Sequence, residues 1–230
     1  MRGELFIGLM SGTSLDGVDA VLARFALDGA MQVLGHRHQP FPPALRDELL
    51  ALNSAGDNEI HRAALAANGV ARSYADLVAQ LLEASGHAAG EIAALGAHGQ
   101  TVRHRPGEFD GCGYTTQLLN GALLAEQTGI ATVCDIRSRD VAAGGQGAPL
   151  VPAFHRAQFG RADADIAVLN IGGISNISLL GRDGSTAGFD CGPGNCLMDL
   201  WIAEQRGQAY DAGGAWAAGG TVDPALLAAL

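Results

Sequence analysis

The apolar positions of the chain open in three short runs. "ELFIGLM" (4–10) climbs to a turn of small residues, "VDAVLARFAL" (18–27) returns from it, and "MQVLGHRHQPF" (31–41) follows. Each run is bounded by small or polar residues, so each reads as a strand, and the short connections favour antiparallel neighbours. "PALRDELLALN" (43–53) changes to helical spacing, with Pro43 suited to its first turn. Between Glu59 and Ser85, the residues Val70, Tyr74, Leu77, Val78, Leu81 and Leu82 stand four, three, one, three and one apart. That spacing predicts a helix with one apolar face, which Gly69 is expected to bend or divide. "IAALGAHG" (92–99) reads as a buried strand feeding a loop. "GALLAEQTG" (121–129) reads as a short helix closed by Gly129, and "IATVCD" (130–135) as another buried strand ending in a carboxylate.

The pattern changes after Asp140. "VAAGGQGAPLVPAFHRAQFG" (141–160) begins glycine-rich and turns helical, and "ADIAVLNIGGISNISLLG" (164–181) is strand, glycine turn, strand. That repeats the organisation of the opening. We therefore place a boundary within 141–160 and divide the chain into residues 1–150 and 151–230. Backbone N–H groups in two such turns would form concave anion sites, and a facing pair would grip two phosphates of one nucleotide. Each turn taken alone also reads as a plain structural turn. Neither is a GxxxxGK[ST] loop or a GxGxxG strand-to-helix turn.

Composition narrows the picture. Of 230 residues, 48% are hydrophobic, enough for a sizeable core, and only 17% are charged, which argues against a disordered chain. The formal charge of -10 excludes non-specific binding to a nucleic-acid backbone. No apolar run reaches the roughly 18 residues a membrane span needs, and Glu4 interrupts any signal-peptide pattern. The cysteines Cys112, Cys134, Cys191 and Cys196 match no CxxC metal pair, and the seven histidines show no HExxH spacing. A Cys191–Cys196 disulfide is conceivable, but the lack of an export signal favours reduced thiols.

Five stretches carry a resemblance: "GLMSGTSLDGVDA" (8–20), "HGQTV" (98–102), "DIRSRDVAAGGQGAPLVPAFH" (135–155), "VLNIGGISNIS" (168–178) and "GFDCGPGNCLMD" (188–199). Together, and in this order, the chain resembles the anhydro-N-acetylmuramic acid kinase family of the sugar kinase/Hsp70/actin superfamily. The resemblance implies an α/β, two-domain actin-like ATPase (ribonuclease H-like) fold with a central cleft. It implies ATP-dependent hydrolytic opening of 1,6-anhydro-N-acetylmuramic acid to N-acetylmuramic acid 6-phosphate, in cytoplasmic cell-wall recycling. ATP and Mg²⁺ are the implied cofactors and the anhydro sugar the implied partner. Nucleic acid and membrane are not implied, and a homodimer is left open.

Carried over residue by residue, Gly12, Thr13, Ser14, Leu15, Asp16, Gly17, Val18 and Asp19 form the first ATP phosphate loop. Asp16 would orient Mg²⁺ through water, as suits an oxygen ligand; alternatively Ser14 and Asp16 only satisfy turn N–H groups. Asn170, Gly172 and Gly173 belong to the second phosphate loop, whose plain reading is a Gly-Gly hairpin turn. Asp190 is the implied catalytic base, against a turn or N-cap role ahead of "NCLMDLWIAEQ"; Asn195 stands closer to that helix start. Gln100 and Thr101 would contact the sugar, and Arg139 would meet its lactyl carboxylate. The alternative reading pairs Arg137 and Arg139 with Asp135 and Asp140, while His98 reads as a packed or hydrogen-bonded loop residue.

The chain departs from the family at "QLLNGALLAE" (117–126). Leu118 and Leu119 stand where Ile-Gly is usual, and Gly121 where proline is common. Leucine does not readily take a glycine-only conformation, so the loop is expected to differ there. The family also runs past "DPALLAAL" (223–230). The expectation is a second domain incomplete over these residues, with the apolar face of Leu226, Leu227 and Leu230 exposed. Two rival readings remain: a non-catalytic, actin- or Hsp70-like nucleotide-binding module, and an inactive piece of the kinase.

Overall fold

The computed structural model describes residues 3–229. The chain divides into two compact units, Met1–Leu150 and Val151–Leu230.

In the first unit the three opening runs are strands β1 (Gly3–Met10), β2 (Val18–Ala26) and β3 (Met31–Gln39), antiparallel in sequence order. Helices α1 (Pro43–Ala51) and α2 (Glu59–Ser85) follow, then β4 (Ile92–Ala97). A hairpin of β5 (Gln100–Pro106) and β6 (Gly113–Leu118) leads to α3 (Gly121–Thr128), the two-residue strand β7 (Thr132–Val133) and α4 (Ser138–Ala142). The main sheet has the order β3-β2-β1-β4-β7; β4 joins β1 in parallel and β7 joins β4 in parallel. Three antiparallel strands followed by parallel ones make it a mixed sheet.

Its core lies between the sheet and α2. Val70, Tyr74, Leu77, Val78 and Leu81 of α2 are buried with Ile7, Val18, Ala20, Leu22 and Leu95 of the strands. The expected bend at Gly69 is absent, since α2 runs unbroken from Glu59 to Ser85. Gly69 serves close packing instead: a Cβ there would stand 2.8 Å from the Leu45 side chain on α1. Gly129 closes α3 in the left-handed conformation, as expected of a C-terminal glycine.

Two loop expectations are sharpened. The loop expected after "IAALGAHG" is short: His98 and Gly99 form a two-residue link at the end of β4, and Gln100 and Thr101 already belong to β5. The strand forms because Gln100, Val102, Thr115 and Leu118 turn inward, while Gln100 pairs with Leu118 and His104 with Thr115 across the hairpin. Leu118 and Leu119 take no glycine-only conformation; neither has a positive φ. Gly121 opens α3 where a Cβ would meet Cys134 Sγ at 2.7 Å, so it answers a close approach.

The second unit contains α5 (Pro152–Phe159), β8 (Ile166–Ile171), β9 (Ile174–Leu180), β10 (Thr186–Pro193), α6 (Cys196–Arg206) and the short α7 (Pro224–Ala229). The strands form an antiparallel sheet of order β10-β9-β8, with α5 packed on β9 and β10. Ser178, Leu180, Ile202 and His155 are the buried residues among those described, His155 Nδ1 lying 2.8 Å from Ser178 Oγ. Leu226 and Leu227 are exposed; Leu230 lies outside the described residues. Among the described residues all four cysteines are unpaired, and no helix is long and apolar enough to cross a membrane.

Candidate active site

The first candidate loop, residues 11–17, joins β1 to β2, and its side chains divide between core and solvent. Leu15 sinks into the core at 4% exposure and takes a left-handed φ of 56°, a conformation that costs a non-glycine residue roughly 1–2 kcal/mol. Burial of its side chain holds it there, and the Leu15 N–H closes the turn on the Gly12 carbonyl at 3.2 Å. Ser11 roots the other end. Its hydroxyl donates to the Gly99 carbonyl at 3.0 Å and so accepts from the Tyr74 hydroxyl at 2.9 Å. Burial pushes the Tyr74 phenol up to about 12, against smaller opposing effects of Ser11 and Gly99.

What faces outward is backbone. The N–H groups of Gly12, Thr13 and Ser14 make no hydrogen bond among the described residues, and Thr13 and Ser14 are exposed. A Cβ on Gly12 would meet only Ser14 Oγ, at 3.4 Å, so the fold itself does not demand glycine there. Gly17 differs, because a Cβ would strike the Gln39 carbonyl oxygen at 2.2 Å. Ser14 Oγ donates to Asp16 Oδ1 at 2.8 Å, so these two bond each other and leave the turn N–H groups alone. Asp16 is exposed, with a second carboxylate oxygen to spare. Val18 is buried in β2. Asp19, also on β2, lies across from β3, its Oδ1 2.9 Å from His36 Nε2 and 3.3 Å from His38 Nδ1.

Gln100 reaches the same loop. It is wholly buried, and its Nε2 donates to the Gly12 carbonyl at 3.0 Å and to the Thr101 carbonyl at 3.3 Å. Thr101 Oγ1 accepts from Gln117 Nε2 at 3.2 Å. Next along the chain, His98 donates from Nδ1 to the Gly99 carbonyl at 2.6 Å and accepts at Nε2 from Arg137 Nε at 2.8 Å. The imidazole is therefore neutral. Burial first, and the Arg137 charge second, bring its pKa down to about 4. Arg137 also donates to the Gly147 carbonyl at 2.6 Å, tying the glycine-rich segment to "HGQT".

Arg139 sits on α4. It is exposed, and its guanidinium has no hydrogen bond or ion pair among the described residues. Asp135 and Asp140 have other uses: Asp135 Oδ1 accepts from Ser138 Oγ at 2.5 Å, and Asp140 Oδ2 from the Gly147 N–H at 2.7 Å.

In the second unit, Gly172 and Gly173 make the turn between β8 and β9. Their carbonyls are held by the segment that opens α6: Asn195 N–H donates to Gly172 at 2.9 Å and Gly194 N–H to Gly173 at 2.8 Å. Their own N–H groups make no hydrogen bond among the described residues, and a Cβ on Gly173 would come no nearer than 3.8 Å to any neighbour. Asp190 occupies neither a turn nor an N-cap. It lies inside β10, which runs on to Pro193 past an irregularity between Asp190 and Gly192. Ladder pairing extends the strand through glycines that read as a turn. Register sets Asn170, Asn176 and Asp190 in one cross-strand row beside the glycine turn. The Asp190 carboxylate is exposed and unbonded among the described residues. Asn195 occupies the N-cap position of α6, without a side-chain cap bond.

Sequence reading assigned no role to Gln117 or Asn176. Each buries a side-chain oxygen, Gln117 Oε1 and Asn176 Oδ1, with no partner among the described residues. The available signal was position: Asn176 closes "NIGGISN" and Gln117 opens "QLLN".

A mixed sheet with a glycine loop between its first two strands, and a second strand–turn–strand unit bearing an unbonded carboxylate, define an α/β protein with two glycine turns of one design. The chain belongs to the anhydro-N-acetylmuramic acid kinase family, whose model matches residues 4–230. Proteins named anhydro-N-acetylmuramic acid kinase from Variovorax paradoxus (strain S110) and Cupriavidus metallidurans (strain ATCC 43123 / DSM 2839 / NBRC 102507 / CH34) are 65% and 61% identical to it. The matches cover 100% and 97% of this chain and 62% and 60% of those proteins. The chain thus spans about three-fifths of the length of these curated relatives. A solved structure, ethanolamine utilization protein EutJ from Carboxydothermus hydrogenoformans, is 17% identical, with a TM-score of 0.41 over 92% of this chain and 60% of that one.

Proposed function

We propose that the protein is an ATP-dependent kinase that opens the anhydro ring of 1,6-anhydro-N-acetylmuramic acid and phosphorylates O6, giving N-acetylmuramic acid 6-phosphate. The observation that carries this reading is the unbonded Asp190 carboxylate beside the Gly172–Gly173 turn, in a chain whose family bears that name.

The residues fit the cofactors the family implies. Gly12, Thr13 and Ser14 offer three free N–H donors to one phosphate group, and Gly172 and Gly173 offer two to another, with no side chain in the way. Asp16 offers a hard oxygen toward Mg²⁺ through water. Bound MgATP supplies the phosphoryl group and neutralises its charge.

The protein's own residues do the rest. Asp190 takes a proton from the water that attacks the anomeric carbon. As that carbon gains the water oxygen, its bond to O6 breaks, and O6 uses the freed electron pair to bond the γ-phosphorus, whose bond to the β–γ bridging oxygen breaks so that ADP leaves. Arg139 presents a planar fork to the lactyl carboxylate. Thr101 lines the sugar side of the hairpin. A chain that consumes ATP and a cell-wall sugar belongs in the cytoplasm. Turnover in ¹⁸O-labelled water tests the scheme: one label should appear on the anomeric hydroxyl and none in the phosphate. Product without label would exclude water attack at that carbon.

A further inference from the structure

The Gln100 side chain is buried to the last atom yet half satisfied. Its Nε2 faces two carbonyl oxygens, Gly12 at 3.0 Å and Thr101 at 3.3 Å. That fixes the amide orientation, because a flipped amide would press Oε1 against two acceptors. Oε1 is left buried with no partner among the described residues, an arrangement that is unfavourable unless a donor reaches it. The Gly12 carbonyl matters because it belongs to the peptide unit that carries the Thr13 N–H. In a planar trans peptide the two groups point in opposite directions, so fixing one fixes the other. The Leu15 N–H holds the same carbonyl from within the loop, and Ser11, bonded to Gly99 beside Gln100, roots the preceding residue.

We propose that Gln100 is a positioning residue for the first loop: by holding the Gly12 carbonyl it aims the Thr13 N–H outward, at the group the loop binds. The role rests on the reading of residues 12–14 as a phosphate loop, and it adds a second duty to a side chain expected only to touch sugar. It also makes the loop sensitive to any donor that reaches Oε1. A hydroxyl or amide donor arriving there polarises the amide and strengthens its bond to Gly12. The loop is then already ordered when the nucleotide binds.

The test compares the full chain with Gln100→Met, similar in length and unable to hydrogen-bond as an amide, and with Gln100→Leu should the first fail to fold. MgATP affinity is measured by equilibrium titration without sugar, and the Thr13 amide resonance is followed in ¹⁵N-labelled protein without any ligand. The expected result is nucleotide binding weakened about tenfold, the equivalent of one lost positioning bond, together with a shifted Thr13 resonance. Addition of the sugar should tighten nucleotide binding in the parent and no longer do so in the variant. Unchanged MgATP affinity, with loss confined to sugar binding, overturns the proposal, as does an unmoved Thr13 resonance. A parent chain that binds no nucleotide defeats the phosphate-loop reading instead, and the Thr13 resonance still decides the brace.

Discussion

The same supersecondary unit is built twice in this chain and insulated differently each time. In the first unit, β1 and β2 lie between β3 and β4 and under α2, and Ile7, Val18, Ala20 and Leu22 are all but removed from solvent. In the second, β8 and β9 have strand neighbours only within a three-stranded sheet, and Leu169 and Ile171 remain 55% and 65% exposed. The loops follow suit. The first is anchored by a side chain in the core, Leu15, and by hydrogen bonds from Tyr74 and Gln100. The second is held by two or three backbone bonds from the residues ahead of α6. One loop takes its shape from a packed core; the other takes it from main-chain hydrogen bonds, with little apolar packing behind them. Chemistry and stability should therefore separate: substitution of the exposed Asp190 in the second unit should strike function alone, and substitutions in the packed core of the first should strike the fold.

The largest effect tests the functional half of that contrast. Asp190→Asn keeps shape but removes the base, and turnover should fall by about 10²–10⁴-fold, the usual weight of a positioned general base. Its urea unfolding midpoint should match the parent's, because the carboxylate is exposed and unbonded. Near-normal turnover would take Asp190 out of the chemistry.

Next comes a matched pair of truncations. Leu77→Ala empties a site at 0% exposure under the first sheet and should cost about 2–5 kcal/mol. Leu169→Ala, at 55% exposure on β8, should change stability by no more than about 0.5 kcal/mol. Similar losses by chemical denaturation would erase the difference in insulation.

The smallest effect depends on pH. His98 is neutral in the folded protein with a pKa of about 4, against 6.5 unfolded. Between those values the unfolded chain binds the extra proton, so stability is full above pH 6.5 and declines as pH falls toward 4. From pH 7 to pH 5 this group alone should remove about 2 kcal/mol, as protonation also breaks the bond accepted from Arg137. His98→Gln should flatten that part of the stability profile. A parent profile already flat between pH 7 and 5 would show that His98 is not held neutral.

Much of the first unit was legible because its signals are local. Three apolar runs with short connections gave the β1–β3 meander, and six apolar residues at helical spacing gave α2. Gly69 misled because a glycine in a helix signals weakness by propensity, whereas here it answers Leu45 on a neighbouring helix. The hairpin β5–β6 and strand β10 were missed because "QTVRHRP" and "TAGFDCGP" are polar or glycine-rich. Pairing partners and buried glutamine or threonine, not apolar alternation, make them strands. In the candidate site, the glycine loops and Asp190 could be named from motif order. The His98–Arg137 bond spans 39 positions and the Gln100–Gly12 bond 88, separations at which sequence carries no geometric cue.

The strand order of the first sheet has a further consequence, for solubility. A sheet ends where a strand offers unpaired N–H and C=O groups, and such a border invites pairing with another chain. Here one border is β3, whose centre carries His36, Arg37 and His38, and the other is β7, only two residues long. Charge-bearing side chains on one side and brevity on the other deny a second molecule a template to extend. β8, which borders the smaller sheet, reads Ile-Ala-Val-Leu-Asn-Ile and carries neither safeguard. Aggregation that begins from folded protein should start at β8.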